Sequence, residues 1–159
     1  MTTKNTDLVA NFEASPQVAN NAAELAGVLR TAHGTVELAA GDSTDNDIVM
    51  LAPIPSNAAV PQLFVGSDTF GGSCTFNVGL YKTDGTVKDE DVFATSVADA
   101  GAMTDVRFEV ADLNTGSQKL WELAGDSTDP GGYFYVAITF NATGGTGGSL
   151  NWNINYIVD

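Results

Sequence analysis

Residues 73–82, S-C-T-F-N-V-G-L-Y-K, decide the fold class, because apolar side chains alternate along them with small or polar ones. A β-strand directs successive side chains to opposite faces of its sheet, so this period of two predicts a half-buried strand. The phase expected to face a core consists of Cys74, Phe76, Val78 and Leu80. The phase expected to face away consists of Ser73, Thr75, Asn77 and Gly79.

The same period recurs in three places further along the chain. In the first, Val106, Phe108 and Val110 alternate with three charged residues expected to face away, Asp105, Arg107 and Glu109. Residues 134–140 and 150–158 repeat the pattern and predict two more strands. The stretch between them, 141–149, is rich in glycine and suits a flexible hairpin loop. The last two strands are therefore predicted to pair antiparallel.

The upstream sequence predicts the remaining elements. Strand-like runs occur at 28–40, 48–52 and 60–66. Turns are marked by the prolines of 53–60 and by Asp84-Gly85. One short helix is predicted through Leu120, Trp121 and Leu123, with Ser117 as its cap and Gly125 as its stop. Many short strands and one short helix predict an all-β protein, an antiparallel β-sandwich or jelly roll.

Residues 1–27 show the period of neither a helix nor a strand and are rich in Asn, Ala and Thr. Their isolated apolar residues include Leu8, Val9 and Phe12. Two interpretations stay open. The segment is either a frayed terminus or an extended N-terminal arm that becomes ordered by burying these three side chains in a neighbouring subunit. The predicted division is an arm at 1–27 and a β-sandwich domain at 28–159.

The charge of the chain excludes several classes of partner. Its 159 residues include 20 acidic and 6 basic side chains, for a net charge of −14. Such a surface repels phosphate backbones and anionic lipid headgroups, so neither nucleic acid nor membrane is expected as a partner. Hydrophobic residues make up 43% of the chain, which is enough for a packed core.

The sequence offers little for catalysis. The single histidine, His33, lies in a strand-like run, and no G-x-S-x-G motif accompanies it. The single cysteine, Cys74, falls on the apolar phase of its strand, where a thiol acts as a small hydrophobe rather than a nucleophile. Walker-type and dinucleotide-binding motifs are missing as well. We therefore expect no enzyme, no catalytic residues and no organic cofactor.

One acidic string, A-G-D-S-T-D, occurs twice, at 40–45 and at 124–129. The first copy continues to Asp47, so Asp42, Asp45 and Asp47 share one predicted loop. Carboxylates gathered on a loop suit Ca²⁺, whereas Asp, Ser and Thr also build turns by bonding to the backbone. Both interpretations stay open. A further acidic run, K-D-E-D at 88–91, is expected to be a solvated loop.

Two tyrosines favour a second class of function. Tyr133 and Tyr135 fall on the phase opposite Phe134 and Val136. They could stack on a sugar or on a protein partner, or they could lie beneath the N-terminal arm. The alternative function is therefore a carbohydrate-binding β-sandwich module of a fibre or a secreted protein, assisted by Ca²⁺.

Four stretches of the sequence, taken in order, resemble one family of phage head proteins. They are G-V-L-R-T-A-H-G-T-V-E-L-A-A-G-D-S at 27–43, I-V-M-L-A-P-I-P-S-N-A-A-V at 48–60, F-N-V-G-L-Y-K at 76–82 and Y-V-A-I-T-F-N-A-T-G-G-T-G-G-S-L-N-W-N-I-N-Y-I-V at 135–158. Together with the Asn- and Ala-rich start, they resemble the capsid decoration (cement) or minor virion structural proteins of tailed bacteriophages.

The resemblance implies a β-rich protein without enzymatic activity that coats or braces an assembled capsid. Its partner would be the major capsid protein, and it would form a symmetric homo-oligomer, with a trimer favoured. It would be made in the host cytoplasm and reside on the capsid surface of the virion. The family has no functional motif whose residues transfer to this chain.

Overall fold

The fold is built from short antiparallel strands. The computed structural model describes residues 4–21, 23–99, 101–109 and 113–158. Within these ranges it contains two α-helices, α1 (Asp7–Glu13) and α2 (Leu120–Leu123), and a 3₁₀ helix at Leu113–Thr115. The strands are β1 (Leu29–Leu38), β2 (Ile48–Pro55), β3 (Ala58–Ser67), β4 (Thr75–Lys82), β5 (Val87–Ala98), β6 (Thr104–Asp105), β7 (Tyr133–Phe140) and β8 (Gly148–Val158).

The strands form two four-stranded sheets whose inner faces share one core. The first sheet has the order β1-β8-β3-β6 and the second the order β2-β7-β4-β5. The antiparallel pairs are nested, β1 with β8, β2 with β7, β3 with β6 and β4 with β5. This nesting is the arrangement of a jelly roll, so the predicted antiparallel β-sandwich or jelly roll is confirmed.

The core is formed by the apolar phases of both sheets. Cys74, Phe76, Val78 and Leu80 are all buried, as their alternation predicts. Phe140 of β7 packs edge to face on Phe70 and on Phe76, with ring centroids 5.6 and 6.0 Å apart. Such aromatic contacts add to the stabilisation that comes from removing apolar surface from water.

The outer face of β4 is buried too, which its sequence does not predict. Asn77, Gly79 and Tyr81 are all buried. β5 pairs Asp89 with Leu80 and Ala94 with Val78, so it carries extra residues at this point. Their backbone crosses directly over Gly79, where a Cβ atom would overlap the Asp89 carbonyl. A bulge of β5 therefore covers the face that a regular strand would expose.

The prediction of a solvated loop at 88–91 is wrong, because these residues belong to β5. Lys88 Nζ lies 2.7 Å from Asp126 Oδ1 in an ion pair. Burial raises the pKa of the Asp89 carboxyl, in the part of β5 that bulges over β4. The run of charges thus lies along a bulged edge strand, a position in which charge discourages further pairing.

The predicted hairpin between the last two strands is also wrong. β7 pairs with β2 and β4, whereas β8 pairs with β1 and β3 in the other sheet. The glycine-rich stretch between them crosses from one sheet to the other. Its amides donate to partners on two other segments, Gly144 N to Ser43 O and Thr146 N to Phe70 O. A Cβ atom at Gly144 would come within 2.8 Å of Phe70 O, so glycine provides close packing here rather than flexibility.

Arg107 contradicts its predicted orientation, since it is fully buried instead of facing away. Arg107 does not lie in a strand, because β6 ends at Asp105. Val110, the last residue of the predicted alternation, lies outside the described residues. The guanidinium donates to Val60 O at 2.7 Å and to Thr115 O at 3.0 Å. It also stacks on the rings of Phe93 and Phe108. Burial lowers the pKa of Arg107 to about 10.

The helices agree with the sequence in part. α2 lies where the short helix is predicted, but its cap is Lys119 rather than Ser117, and its N3 residue Glu122 accepts from Lys119 N at 2.7 Å. The segment 1–27 contains α1, for which no helical period is visible in the sequence. The division into an arm at 1–27 and a domain at 28–159 stays a prediction, and β1 is the first strand of the described chain.

Replacing Arg107 tests whether the buried guanidinium organises the segment after β6. We expect Arg107→Met to lower the free energy of unfolding by about 3 kcal/mol, because the carbonyls of Val60 and Thr115 lose a charged donor inside the protein. The measurement is urea unfolding. Lys82→Met removes an exposed cation from the end of β4 and should change stability by less than about 0.5 kcal/mol. Equal effects of the two substitutions would contradict the assigned role.

Candidate functional site

The single histidine and the single cysteine lie in different environments. His33 is exposed on β1, opposite Asn153 of β8. Cys74 is 1% exposed, and burial raises the pKa of its thiol, so the nucleophilic thiolate is disfavoured. Among the described residues, no group of three or more His, Cys, Asp and Glu side chains could hold a metal ion. No helix of the described chain is long and apolar enough to cross a membrane.

The first acidic string forms a tight loop between β1 and β2. Asp42 Oδ2 accepts from Ala39 N at 2.8 Å, and Asp47 Oδ2 accepts from Thr44 N at 2.8 Å and from the Thr44 hydroxyl. These bonds from Thr44 lower the pKa of the Asp47 carboxyl. Asp45 is exposed, and its backbone amide donates to Thr143 Oγ1 at 3.3 Å. Two of the three candidate ligands thus bond within the turn. Binding of a cation by Asp42, Asp45 and Asp47 stays a prediction.

The second copy of the string makes different contacts. Asp126 pairs with Lys88. Asp129 Oδ1 accepts from Ser56 Oγ at 2.6 Å and from Gly131 N at 2.9 Å, and the Ser56 bond is the main cause of its lowered pKa. Six identical residues therefore stabilise two unlike loops, because each string bonds to the segments that the fold places beside it.

The outer face of the first sheet carries rows of polar side chains, which we call the amide face. They are Thr31, His33 and Thr35 of β1, Asn151, Asn153 and Asn155 of β8, and Gln62 of β3. Thr35 Oγ1 donates to Asn151 Oδ1 at 2.6 Å and Thr31 Oγ1 donates to Asn153 Oδ1 at 3.0 Å. Asn155 Nδ2 donates to Gln62 Oε1 at 3.0 Å. The result is a sheet surface of amides and hydroxyls.

β1 forms the outer edge of this sheet. It pairs with β8 without a register shift from Leu29 to Leu38, and no other strand of the described chain pairs with it. In an antiparallel pair, every second residue directs its N–H and C=O groups away from the partner. One side of β1 therefore presents a row of backbone groups to solvent along ten residues.

The other edge strands carry features that discourage pairing with another chain. β2 contains Pro53 and Pro55 and has a register shift between Met50 and Ala52. β5 has three register shifts, and β6 is two residues long. Proline, bulges and short length are devices by which proteins block their sheet edges. β1 has none of them.

A shallow groove runs beside β1 on the open side of the sandwich, and we call it the edge groove. Its apolar lining comes from β1 and β2, with Val36, Leu38, Ile48, Val49 and Met50. Ile48 and Met50 are 45% and 39% exposed. Its acidic members are Glu37, Asp42 and Asp47. Exposed apolar side chains thus accompany the unpaired backbone of β1.

The candidate partner-binding residues Leu8, Val9 and Phe12 all lie on α1. Phe12 is 68% exposed and Val9 is 41% exposed, while Leu8 is half-buried. The hydrogen bonds seen among residues 4–21 join this segment to itself, as when Asn11 donates to Asn20 and Asn20 donates to Leu8 O. The structure therefore brings the three residues together on a short helix with an exposed apolar side.

The amide face and the open edge are the features that the sequence interpretation misses. The run N-W-N-I-N at 151–155 contains a signal for the first, because its asparagines occupy the polar phase of a strand. The edge position of β1 has no such signal, because strand order depends on contacts between distant residues. Tyr133 is 56% exposed, so the structure does not place the arm over it.

Two solved structures share the fold at low sequence identity. A chain in the capsid asymmetric unit of cyanophage Pam1 is 22% identical with a TM-score of 0.52, over 84% of this chain and 86% of that one. A chain in the capsid of Ralstonia phage GP4 is 16% identical with a TM-score of 0.61, over the same shares of the two chains. No family model and no curated protein matches the sequence. The likeness is therefore one of fold, and it extends over more than four fifths of each chain.

The acidic loop between β1 and β2 can be tested for cation binding. Because Asp42 and Asp47 bond within the turn, we expect Ca²⁺ and Mg²⁺ at equal ionic strength to change the melting temperature equally, by screening alone. A bound ion would instead raise stability by about 2.7 kcal/mol at a hundredfold excess over its Kd. A rise specific to Ca²⁺ that Asp45→Asn abolishes would establish the calcium site at Asp42, Asp45 and Asp47.

Proposed function

We propose that this protein is a virion structural protein of a tailed bacteriophage, without catalytic activity. It decorates the outside of the head, where it contacts the major capsid protein and braces the shell. The observation that carries the proposal is the likeness of fold, over 84% of this chain and 86% of the other, to chains of two phage capsid structures. The jelly roll is an architecture that viral capsid proteins use widely.

The net charge of −14 supports a position on the outer surface of the head. Inside the head, a chain with this charge would repel the phosphates of the packaged genome. On the outside it meets no genome, and mutual repulsion keeps the free protein soluble in the host cytoplasm until it binds. His33 is exposed on β1 whereas the Cys74 thiol is buried, which supports a role without catalysis.

The exposed side of α1 supports a further contact with a neighbour. Leu8, Val9 and Phe12 offer an apolar side that would be buried when the arm lies against an adjacent subunit on the particle. The free energy gained by burying these side chains against a subunit held in the particle would then offset the conformational entropy that the arm loses when it becomes ordered. The protein acts as a homo-oligomer, for which the sequence resemblance favours a trimer.

Copy number in the virion tests the proposal directly. Quantitative mass spectrometry of purified particles should find this chain in amounts comparable to the major capsid protein. Particles stripped of it and then mixed with the purified protein should recover the chain in the particle pellet. A few copies per particle would indicate a fibre, neck or tail component, and absence from the particle would refute the virion role.

The arm provides a second test. A variant lacking residues 1–27 should fold, because the strands begin with β1, but it should bind particles more weakly. The arm should be cut by protease in the free protein and protected on the particle. Phe12→Ser should weaken particle binding, whereas Leu113→Ser, which removes an 80% exposed apolar side chain elsewhere, should not. If the truncated variant fails to fold, the arm belongs to the core of the domain.

The amide face favours a second candidate function, a carbohydrate-binding module. Its aligned amides and hydroxyls are groups that bond to sugar hydroxyls. Tyr133, which lies on β7 of the other sheet, offers a separate exposed ring on which a sugar could stack. Lectin domains also use the jelly roll. Glycan-array binding that EDTA abolishes would favour this candidate and its Ca²⁺ dependence, whereas an array without signal would leave the capsid role as the proposal.

A further inference from the structure

The open edge of the first sheet is β1, and the sequence of this strand suits pairing with a second copy of itself. We propose that β1 pairs antiparallel with β1 of a second copy of this chain, joining their first sheets across a two-fold axis beside His33 and Gly34. This inference rests on the homo-oligomeric part of the proposed function, but it specifies a dimer in place of the trimer that the sequence resemblance favours. It names the surface involved, and it gives a dimer, because each chain uses its single unprotected long edge.

The first argument for this pairing is that β1 differs from the other edge strands. An unpaired strand edge invites pairing with any other chain, and natural proteins block such edges unless they use them. Within the described chain, β2, β5 and β6 are blocked by proline, by bulges or by shortness. β1 is regular over ten residues and is left open. The chain thus protects three edges and leaves the fourth accessible.

The sequence of β1 is compatible with pairing to itself. For the two first sheets to be continuous, residues directly opposite each other must share a face, so the axis passes through one residue of each strand. With the axis at His33, Thr31 lies opposite Thr35. With the axis at Gly34, His33 lies opposite Thr35 instead. In both registers Arg30 and Glu37 lie opposite uncharged residues, so no like charges meet across the pair.

Charge distribution favours a second copy over other occupants. β1 holds one basic and one acidic residue, Arg30 and Glu37, and so has no net charge in a chain of −14. An edge that recruited a strongly basic segment would be expected to present several carboxylates along the strand itself, as β5 does with Asp89, Glu90 and Asp91. Pairing along β1 therefore brings together two strands that carry no net charge themselves.

The edge groove extends the same interface. Ile48 and Met50 of β2 are exposed on the side where β1 is open, and a second copy on β1 would approach them. Burying apolar side chains there would add to the backbone hydrogen bonds of the paired strands. The acidic members of the groove would oppose association at low ionic strength, so added salt should strengthen the dimer.

Sedimentation velocity of the full chain tests the pairing over a range of concentrations, at low and at 0.5 M NaCl. We expect a monomer–dimer equilibrium that shifts toward the dimer with salt. The variant His33→Lys/Thr35→Lys places lysines opposite or diagonal to one another in both registers and should weaken the dimer roughly tenfold. The matched control is Asn151→Lys/Asn153→Lys, which adds the same charge to the same face on β8, next to those positions but away from the edge. It should change the dimer constant by less than about threefold.

Hydrogen exchange of the unmodified protein provides a second measurement, which does not depend on a variant that folds. Amides at every second position of β1 should exchange more slowly as concentration rises, while those of β5, at the far edge of the second sheet, should not change. A monomer at all concentrations, a closed trimer, or a dimer equally weakened by both variants would overturn the inference. A dimer that is absent from phage particles would refute the virion role and leave the pairing intact.

Discussion

Phe70, Phe76 and Phe140 meet edge to face between the two sheets, and the loops at this end of the sandwich depend on that contact. The backbone of Phe140 exchanges hydrogen bonds with the acidic loop, accepting from Asn46 N and donating to Asp47 O. The carbonyl of Phe70 accepts from Thr146, and its amide donates to Asp99. Three loops that are distant in sequence are thereby fixed to one aromatic cluster. The shape of the acidic loop therefore depends on this packing as well as on the string A-G-D-S-T-D itself.

Local alternation predicts the strands well, because a period of two reports directly on which side chains meet the core. The regular elements β4, β7 and β8 follow from it, and so does the fold class. The alternation fails at Arg107, because this side chain is buried by stacking on two phenylalanine rings and by bonding to carbonyls of other segments. The predicted hairpin between β7 and β8 fails for a related reason. A glycine-rich loop looks the same in sequence whether it reverses a strand within a sheet or crosses to the other sheet.

The surface features also differ in whether the sequence alone reveals them. The asparagines of the amide face come from a short run, N-W-N-I-N, so the polar phase of this strand could have predicted the face as its apolar phase predicted the core. The open edge of β1 could not be predicted from local sequence, because the position of a strand in its sheet depends on partners more than a hundred residues away. The exposed side of α1 lies between these cases. Its apolar residues are visible in the sequence, but their grouping on one helix is not.

The nested pairing of the strands also bears on how the chain acquires its fold. Thr35 and Asn151, which bond across β1 and β8, are 116 residues apart, so β1 leaves the ribosome long before its partner exists. Until then both of its edges are unpaired, and contacts of such large sequence separation form slowly. The strand that remains open in the finished protein is thus also the one that waits longest during synthesis. When several ribosomes translate one messenger RNA, the unpaired β1 strands of neighbouring nascent chains could pair with each other. β1 is therefore the segment at which a chaperone would matter most.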